Sequence, residues 1–196
     1  MHSVSTSVQP VIFIISGPSG VGKDTVMREL EKFSLPLQRV TTTTSRPMRP
    51  GEREGVPYHF VSEQQFQQMI ARGEFAEHAR VFNSWKGITK AELEKVLDGN
   101  HGVLLQIEHQ GAKTIKRLYP EAVVFVITPP SIAALNQRLT QRGDKQAEEL
   151  QKRLAQNEHW QADYAEFEHF IENPDNHPEQ AAKQIAQLIT QQLGLT

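Results

Sequence analysis

The stretch Val11-Ile12-Phe13-Ile14-Ile15-Ser16-Gly17-Pro18-Ser19-Gly20-Val21-Gly22-Lys23-Asp24 constrains this chain more than any other. Five consecutive apolar residues followed at once by a glycine-rich run predict a strand buried on both faces and then a tight loop. Val21 to Phe33 next places Val21, Val26, Met27, Leu30 and Phe33 on roughly one face, opposite Arg28, Glu29, Glu31 and Lys32, which predicts an amphipathic helix. Strand, loop and helix are the order a phosphate-binding loop requires, and Gly17 to Lys23 has its spacing, G-x-x-x-x-G-K. Backbone N–H groups must converge on a polyphosphate without Cβ atoms in the way, and the helix N-terminus adds partial positive charge. Gly17, Pro18, Ser19, Gly20, Val21 and Gly22 are therefore candidate phosphate contacts, with Lys23 supplying the full charge. The motif departs at its last position, where Asp24 stands in place of Ser or Thr. Asp24 would bind Mg²⁺ through an anionic oxygen, or its neighbour Thr25 would offer a hydroxyl instead.

A length of 196 residues suits one compact α/β domain with inserted subdomains. With 21 Lys+Arg against 23 Asp+Glu, the net charge of −2 argues against a general nucleic-acid or anionic-membrane binder, so any anion site is local. The absence of cysteine removes disulfides, thiol catalysis and zinc-thiolate sites, and fits a reducing compartment. No early apolar run is long enough to span a bilayer, so residues 1–10 read as a disordered polar leader and the protein as cytoplasmic. The eight histidines show no metal-ligand spacing, and Trp85 and Trp160 read as packing residues.

Downstream, the β-branched run in Leu37 to Thr44 predicts a second strand, leading into the irregular Ser45-Arg46-Pro47-Met48-Arg49-Pro50-Gly51-Glu52. Arg46 and Arg49 are planar forks suited to a second phosphate, or else solvated loop charges. Tyr58 to Val61 reads as a short strand, Ser62-Glu63-Gln64-Gln65 as a capping box opening a helix to about Arg72, and Glu74 to Phe82 as another strand. Trp85-Lys86-Gly87 reads as a turn, and a helix follows from about Thr89 to Gly99. Residues 45–97 thus form an expected α+β insertion in a core made of 11–44 and 98–196. Buried strands at Gly102 to Ile107 and Val123 to Ile127, with helix 109–118 between them, resume a parallel-sheet pattern. A helix from Ser131 to Gln141 carries Arg138, with Arg142 four residues on, and Gly143 to Gln146 interrupts it. One helix over 147–165 carrying Arg153, a strand from Phe167 to Glu172 and a helix from Pro178 to Leu193 complete the expectation. One phosphate loop and two arginine pairs imply two anionic ligands brought together, the layout of phosphoryl transfer.

These residues resemble the guanylate kinases, which transfer the γ-phosphoryl group of ATP to GMP. The likeness extends over about residues 11 to 193. It is carried by Ser16 to Lys23, Arg46-Pro47-Met48-Arg49-Pro50-Gly51-Glu52, Gly55-Val56-Pro57-Tyr58-His59-Phe60-Val61-Ser62, Ala71-Arg72-Gly73-Glu74-Phe75-Ala76-Glu77, Ile107-Glu108-His109-Gln110-Gly111-Ala112, Pro129-Pro130-Ser131 and Arg138-Leu139-Thr140-Gln141-Arg142-Gly143. The resemblance implies an α/β P-loop nucleoside monophosphate kinase fold, in which a parallel-sheet core carries an inserted α+β monophosphate-binding subdomain and a small lid at about 142–152. It implies that Lys23 holds the ATP phosphates, Arg138 and Arg142 clamp ATP, Arg153 bridges the phosphates and Asn173 lies near the adenine. It gives Arg46, Arg49 and Tyr58 to the GMP phosphate, and Thr42, Glu77 and Glu108 to guanine. ATP and GMP are then the substrates, Mg²⁺ the cofactor, nucleic acid and membrane are no partners, and the chain acts as a monomer or homodimer.

Besides Asp24, the family's usual Tyr-Tyr-Gly-Thr or Tyr-Tyr-Gly-Ser is Trp85-Lys86-Gly87-Ile88 here, and Gln106 replaces an aspartate. Lys86 either neutralises the acceptor phosphate or is a solvated lysine on a displaced turn. Two other readings use the same frame. Ribose 1,5-bisphosphate phosphokinases are similar and carry Asp at the Asp24 position, but would have little use for Glu77 and Glu108. A non-catalytic interaction module would not be expected to keep Gly17, Gly22 and Lys23.

Overall fold

The computed structural model describes residues 10–99, 102–141 and 147–195. Residues 1–9 of the expected leader lie outside these, as do Arg142 and residues 143–146 of the expected lid. The apolar run forms β1 (Ile12–Ser16), every residue of it buried. Four further strands join it: β2 (Leu37–Arg39), β8 (Gly102–Gln106), β9 (Val123–Thr128) and β10 (His169–Glu172). Their order is β10-β9-β1-β8-β2, all parallel, so β1 has neighbours on both sides. A strand covered on both faces and paired on both edges must be continuously apolar, as this one is. Phe13 stacks on Phe125 of β9 with ring centroids 6.2 Å apart.

Helices α1 (Lys23–Leu30), α4 (His109–Leu118), α5 (Ile132–Gln141) and α8 (Pro178–Gln192) flank this sheet, with Met27, Ile115, Leu135 and Ile185 among their buried residues. The loop between β1 and α1 therefore leaves the carboxyl end of the middle strand, beside the ends of β8 and β9. Outside such strand ends is where open α/β sheets bind ligands.

A second sheet holds β3 (Thr42–Thr44), β4 (Arg53–Glu54), β5 (Pro57–Phe60), β6 (Phe75–Val81) and β7 (Ser84–Thr89) in the order β4-β5-β3-β7-β6. Helices α2 (Glu63–Ala71) and α3 (Lys90–Leu97) accompany it. The expected capping box is present, since Ser62 Oγ accepts from Gln65 N and Gln65 Oε1 accepts from Ser62 N. Phe66 of α2 stacks on Phe75 at 4.4 Å and on Trp85 at 5.9 Å. Among the described residues no helix is long and apolar enough to cross a membrane.

Several expected elements are corrected. The single strand over Leu37 to Thr44 is two strands in different sheets. Val40 N still donates to Leu104 O, but Thr42 already pairs with Tyr58, so the second sheet begins at Thr42, upstream of position 45. The expected turn Trp85-Lys86-Gly87 lies inside β7, and the hairpin turns at Phe82 and Asn83 instead. Gly87 signals close approach, because a Cβ there would lie 2.7 Å from Glu77 O and 2.8 Å from Phe75 Cδ1. The expected helix over 147–165 is broken into α6 (Ala147–Asn157) and α7 (Trp160–Tyr164), which lets Trp160 and Tyr164 turn into the core. The first helix ends in a 3₁₀ turn, Glu31–Phe33, whose tighter winding takes Phe33 off the apolar stripe and leaves it 42% exposed.

That last difference is measurable by urea denaturation. Phe13→Ala should cost about 3–5 kcal/mol, the range for emptying a packed aromatic site. Phe33→Ala should stay within about 0.5 kcal/mol, as for an exposed position.

Candidate active site

The phosphate loop is held from several directions by groups distant in sequence. Gly22 caps α1 in the left-handed region, φ 99°, and a Cβ there would approach Asn173 Nδ2 to 2.5 Å. Only glycine satisfies both demands. Asn173 Nδ2 donates to Val21 O at 2.7 Å, and Asn173 N donates to Thr128 O. Tyr164 Oη accepts from Gly17 N at 3.2 Å, while Ser16 Oγ donates to Ile107 O at 2.7 Å. Arg138 donates to Val21 O and Asn173 O at 3.0 and 2.9 Å and pairs with Asp175. Arg153 donates to Ser19 Oγ at 2.6 Å, pairs with Glu149, and lies 4.1 Å from the Phe82 ring centroid, so it joins the loop to the hairpin of the second sheet. Asn157 Nδ2 donates to Ser19 O.

Lys23 Nζ donates to Gly17 O at 2.6 Å and Pro18 O at 3.3 Å, and lies 3.6 Å from Glu108 Oε2. Burial pulls its pKa below the usual lysine value, against the opposing pull of Glu108. The other oxygen of Glu108, Oε1, lies 3.6 Å from Lys86 Nζ. Burial alone would raise the Glu108 carboxyl, but Lys23 and Lys86 outweigh it and hold the group below its usual value.

Glu77 stands near this cluster on β6, 5% exposed. Burial first, and the Glu108 charge second, push its pKa up to about 8. A Cβ on Gly111 of α4 would overlap Glu77 Oε2, so the helix glycine is what allows the carboxyl to lie against the core. Thr42 is 5% exposed on β3, directly across from Tyr58 on β5. Arg46 makes a two-pronged pair with Glu52 at 2.7 and 2.6 Å, and its guanidinium carbon sits 4.9 Å from the Tyr58 ring centroid. Glu52 Oε2 also accepts from Arg49 N at 2.8 Å, so one carboxylate shapes the whole arginine loop. The pairing outweighs burial and raises the Arg46 pKa.

Asp24 and Thr25 face different ways. Asp24 Oδ1 accepts from Gln106 Nε2 at 2.6 Å, and Gln106 Oε1 accepts from Arg39 Nη2 at 2.7 Å. Arginine only donates, so Arg39 fixes the amide with its NH₂ toward Asp24. Thr25 instead lines a cleft with Gly22, Arg138, Asn173 and Asp175. The Asn173 Oδ1 is buried with no hydrogen-bond partner among the described residues.

The structure thus gathers Lys23, Lys86, Glu77 and Glu108 in one place, Arg46 with Tyr58 in another, and Arg138 with Asn173 on the far side of the loop. Arg142 lies outside the described residues. Sequence reasoning missed Tyr164, Ser16, Asn157 and the roles of Glu52 and Gly111. Only Gly111 carried a local signal, an isolated glycine within a helical pattern.

Because the folded protein holds a proton on Glu77 that the unfolded chain releases near 4.5, Glu77 makes stability fall as pH rises from about 4.5 to about 8. Urea midpoints compared at about pH 5 and about pH 8.5 should drop more in the wild type than in Glu77→Gln, which lacks the titrating group.

Comparison with known proteins places the chain in a family. The guanylate kinase family model matches residues 9–192. A guanylate kinase of Legionella pneumophila (strain Lens) is 38% identical over 178 residues, which is 91% of this chain and 84% of that protein. One from Pseudomonas fluorescens (strain Pf0-1) is 37% identical over 174 residues, 89% of this chain and 82% of that protein. The crystal structure of guanylate kinase from Anaplasma phagocytophilum superposes with a TM-score of 0.70 at 26% identity, covering 94% of this chain and 86% of that one. With its phosphate loop on the middle strand of a parallel sheet and its arginine loop on a second sheet, this chain belongs to the guanylate kinase family.

Proposed function

We propose that the chain, as a guanylate kinase, transfers the γ-phosphoryl group of ATP to GMP or dGMP with a division of labour between its two sheets. The observation that carries this reading is Glu108, which meets Lys23 of the phosphate loop and Lys86 of the second sheet at one carboxylate. Donor and acceptor machinery therefore adjoin.

On the donor side, the backbone of Gly17 to Gly22 and Lys23 hold the β- and γ-phosphates. Arg153 reaches them from α6, and Arg142, outside the described residues, is assigned to ATP by its place in the family's motif. Arg138, already bound to Val21 O and Asn173 O, steadies the loop and the adenine-facing side. The Oδ1 of Asn173, without a hydrogen-bond partner among the described residues, suits the exocyclic amine of adenine, a donor. On the acceptor side, Arg46, Arg49 and Tyr58 receive the GMP phosphate, with Arg46 exchanging Glu52 for it. Thr42, Glu77 and Glu108 read guanine, and Lys86 adds positive charge nearby.

Mg²⁺, usually bound through one or two carboxylates plus substrate phosphates, fits Asp24, whose carboxylate is oriented by Gln106 at the start of α1. Thr25 faces the adenine-side cleft and is the weaker candidate. When bound, the ion neutralises charge on the transferring phosphates. The remaining catalysis is alignment and charge stabilisation by the lysine and arginines, so no side-chain nucleophile is required.

A coupled assay offering GMP, dGMP, AMP, UMP, CMP and ribose 1,5-bisphosphate should show turnover with the two guanine nucleotides, and preference for the sugar bisphosphate would overturn the assignment. Lys23→Met should lower kcat by about a hundredfold or more, the effect of removing one charge-stabilising donor, while circular dichroism remains that of the wild type.

A further inference from the structure

Glu108 is the N-cap residue of α4, yet among the described residues its side chain makes no cap hydrogen bond and is given over to two lysines. Each lysine has its own oxygen, Lys23 at Oε2 and Lys86 at Oε1. The carboxylate is 22% exposed and Lys23 is 11% exposed, so water does little to satisfy either charge. A buried charge that loses its partner is strongly disfavoured until another takes its place. Donor phosphates that claim Lys23 must draw it from Gly17 O, Pro18 O and Glu108 together. Oε2 is then left needing a hydrogen-bond donor, next to where the acceptor base is read.

The two carboxyls at this place are not equivalent. Glu77, with burial keeping its proton to about pH 8, offers one donor and one acceptor, the complement of the N1–H and O6 edge of guanine. Glu108, held anionic between two lysines, only accepts, and suits the exocyclic 2-amino group.

We propose that Glu108 couples the binding of the two substrates: Lys23 covers the carboxylate oxygen that reads the purine 2-amino group until donor phosphates draw the ammonium away, while Lys86 holds the other oxygen in place. The proposal rests on the assignment of Lys23 to the donor and Glu108 to guanine. Lys86 acts here as a positioning residue, tying β7 to the core, and the family's tyrosine would leave that oxygen without a cation. By linkage, the acceptor tightens the donor by the same factor.

Calorimetric affinities for GMP and IMP, each measured with and without the Mg²⁺ complex of the β,γ-imido analogue of ATP, test this on the wild-type protein. The analogue should tighten GMP by about fivefold or more, at the lower end of usual coupling factors, and IMP, which lacks the amine, by less than about twofold. Glu108→Gln should erase the difference between the two acceptors. Lys86→Met should reduce the coupling for GMP, because Oε1 becomes available before the donor arrives, and Lys86→Arg should keep it. Equal tightening of GMP and IMP would overturn the proposal, since simple closure of the two sheets acts on any purine. Failure of the wild type to phosphorylate GMP would sink the functional reading itself, whereas phosphorylation without selective coupling would sink only the role of Glu108.

Discussion

The cost of keeping one ammonium largely out of water organises this molecule. Lys23 opens α1 inside a loop of glycines, where burial works against its charge. The charge survives because two loop carbonyls and Glu108 surround it. Those carbonyls are held in position by a loop braced from the end of β10, α5, α6 and α7 through Asn173, Arg138, Arg153 and Tyr164. A cradle whose N–H groups must point at a polyphosphate gains from such bracing, since little reorganisation remains when the ligand arrives.

The same need for charge balance operates at two neighbouring places. At the start of α1 the carboxylate of Asp24 lies against the amide of Gln106. The 2.6 Å hydrogen bond between them shows that they now act as one unit, oriented from behind by Arg39. Lys86 has a comparable logic. Its ammonium sits against Glu108, which it shares with Lys23.

The two sheets share a continuous apolar core, in which Ile88, Leu93 and Val96 join the residues of β1 and β8, and polar groups cross the same junction. Gly111 lets Glu77 of the second sheet lie against α4 of the core. Arg153 bridges from the opposite side by resting on Phe82 while it bonds Ser19. The second sheet is thus joined to the first beside the Lys23, Lys86, Glu77 and Glu108 cluster.

The amino-acid sequence by itself determined the elements with strong local signals: the apolar β1, the glycine spacing before Lys23, the Ser62 capping box and the run of βα units. It also pointed to the family, because few residue types bind phosphate and the order of the motifs along the chain matched it. What it left undetermined depended on contacts distant in sequence. No local pattern distinguished one strand over 37–44 from two strands in separate sheets, since the β-branched run is equally suited to both. Gly87 read as a turn, because close backbone approach and a turn both call for glycine. Tyr164 carried no signal at all, since its hydroxyl finds Gly17 across 147 positions of chain. The pairing of Glu108 with two lysines, and the raised Glu77 beside it, were decided only by folding, because a side chain's charge state follows from what surrounds it in space.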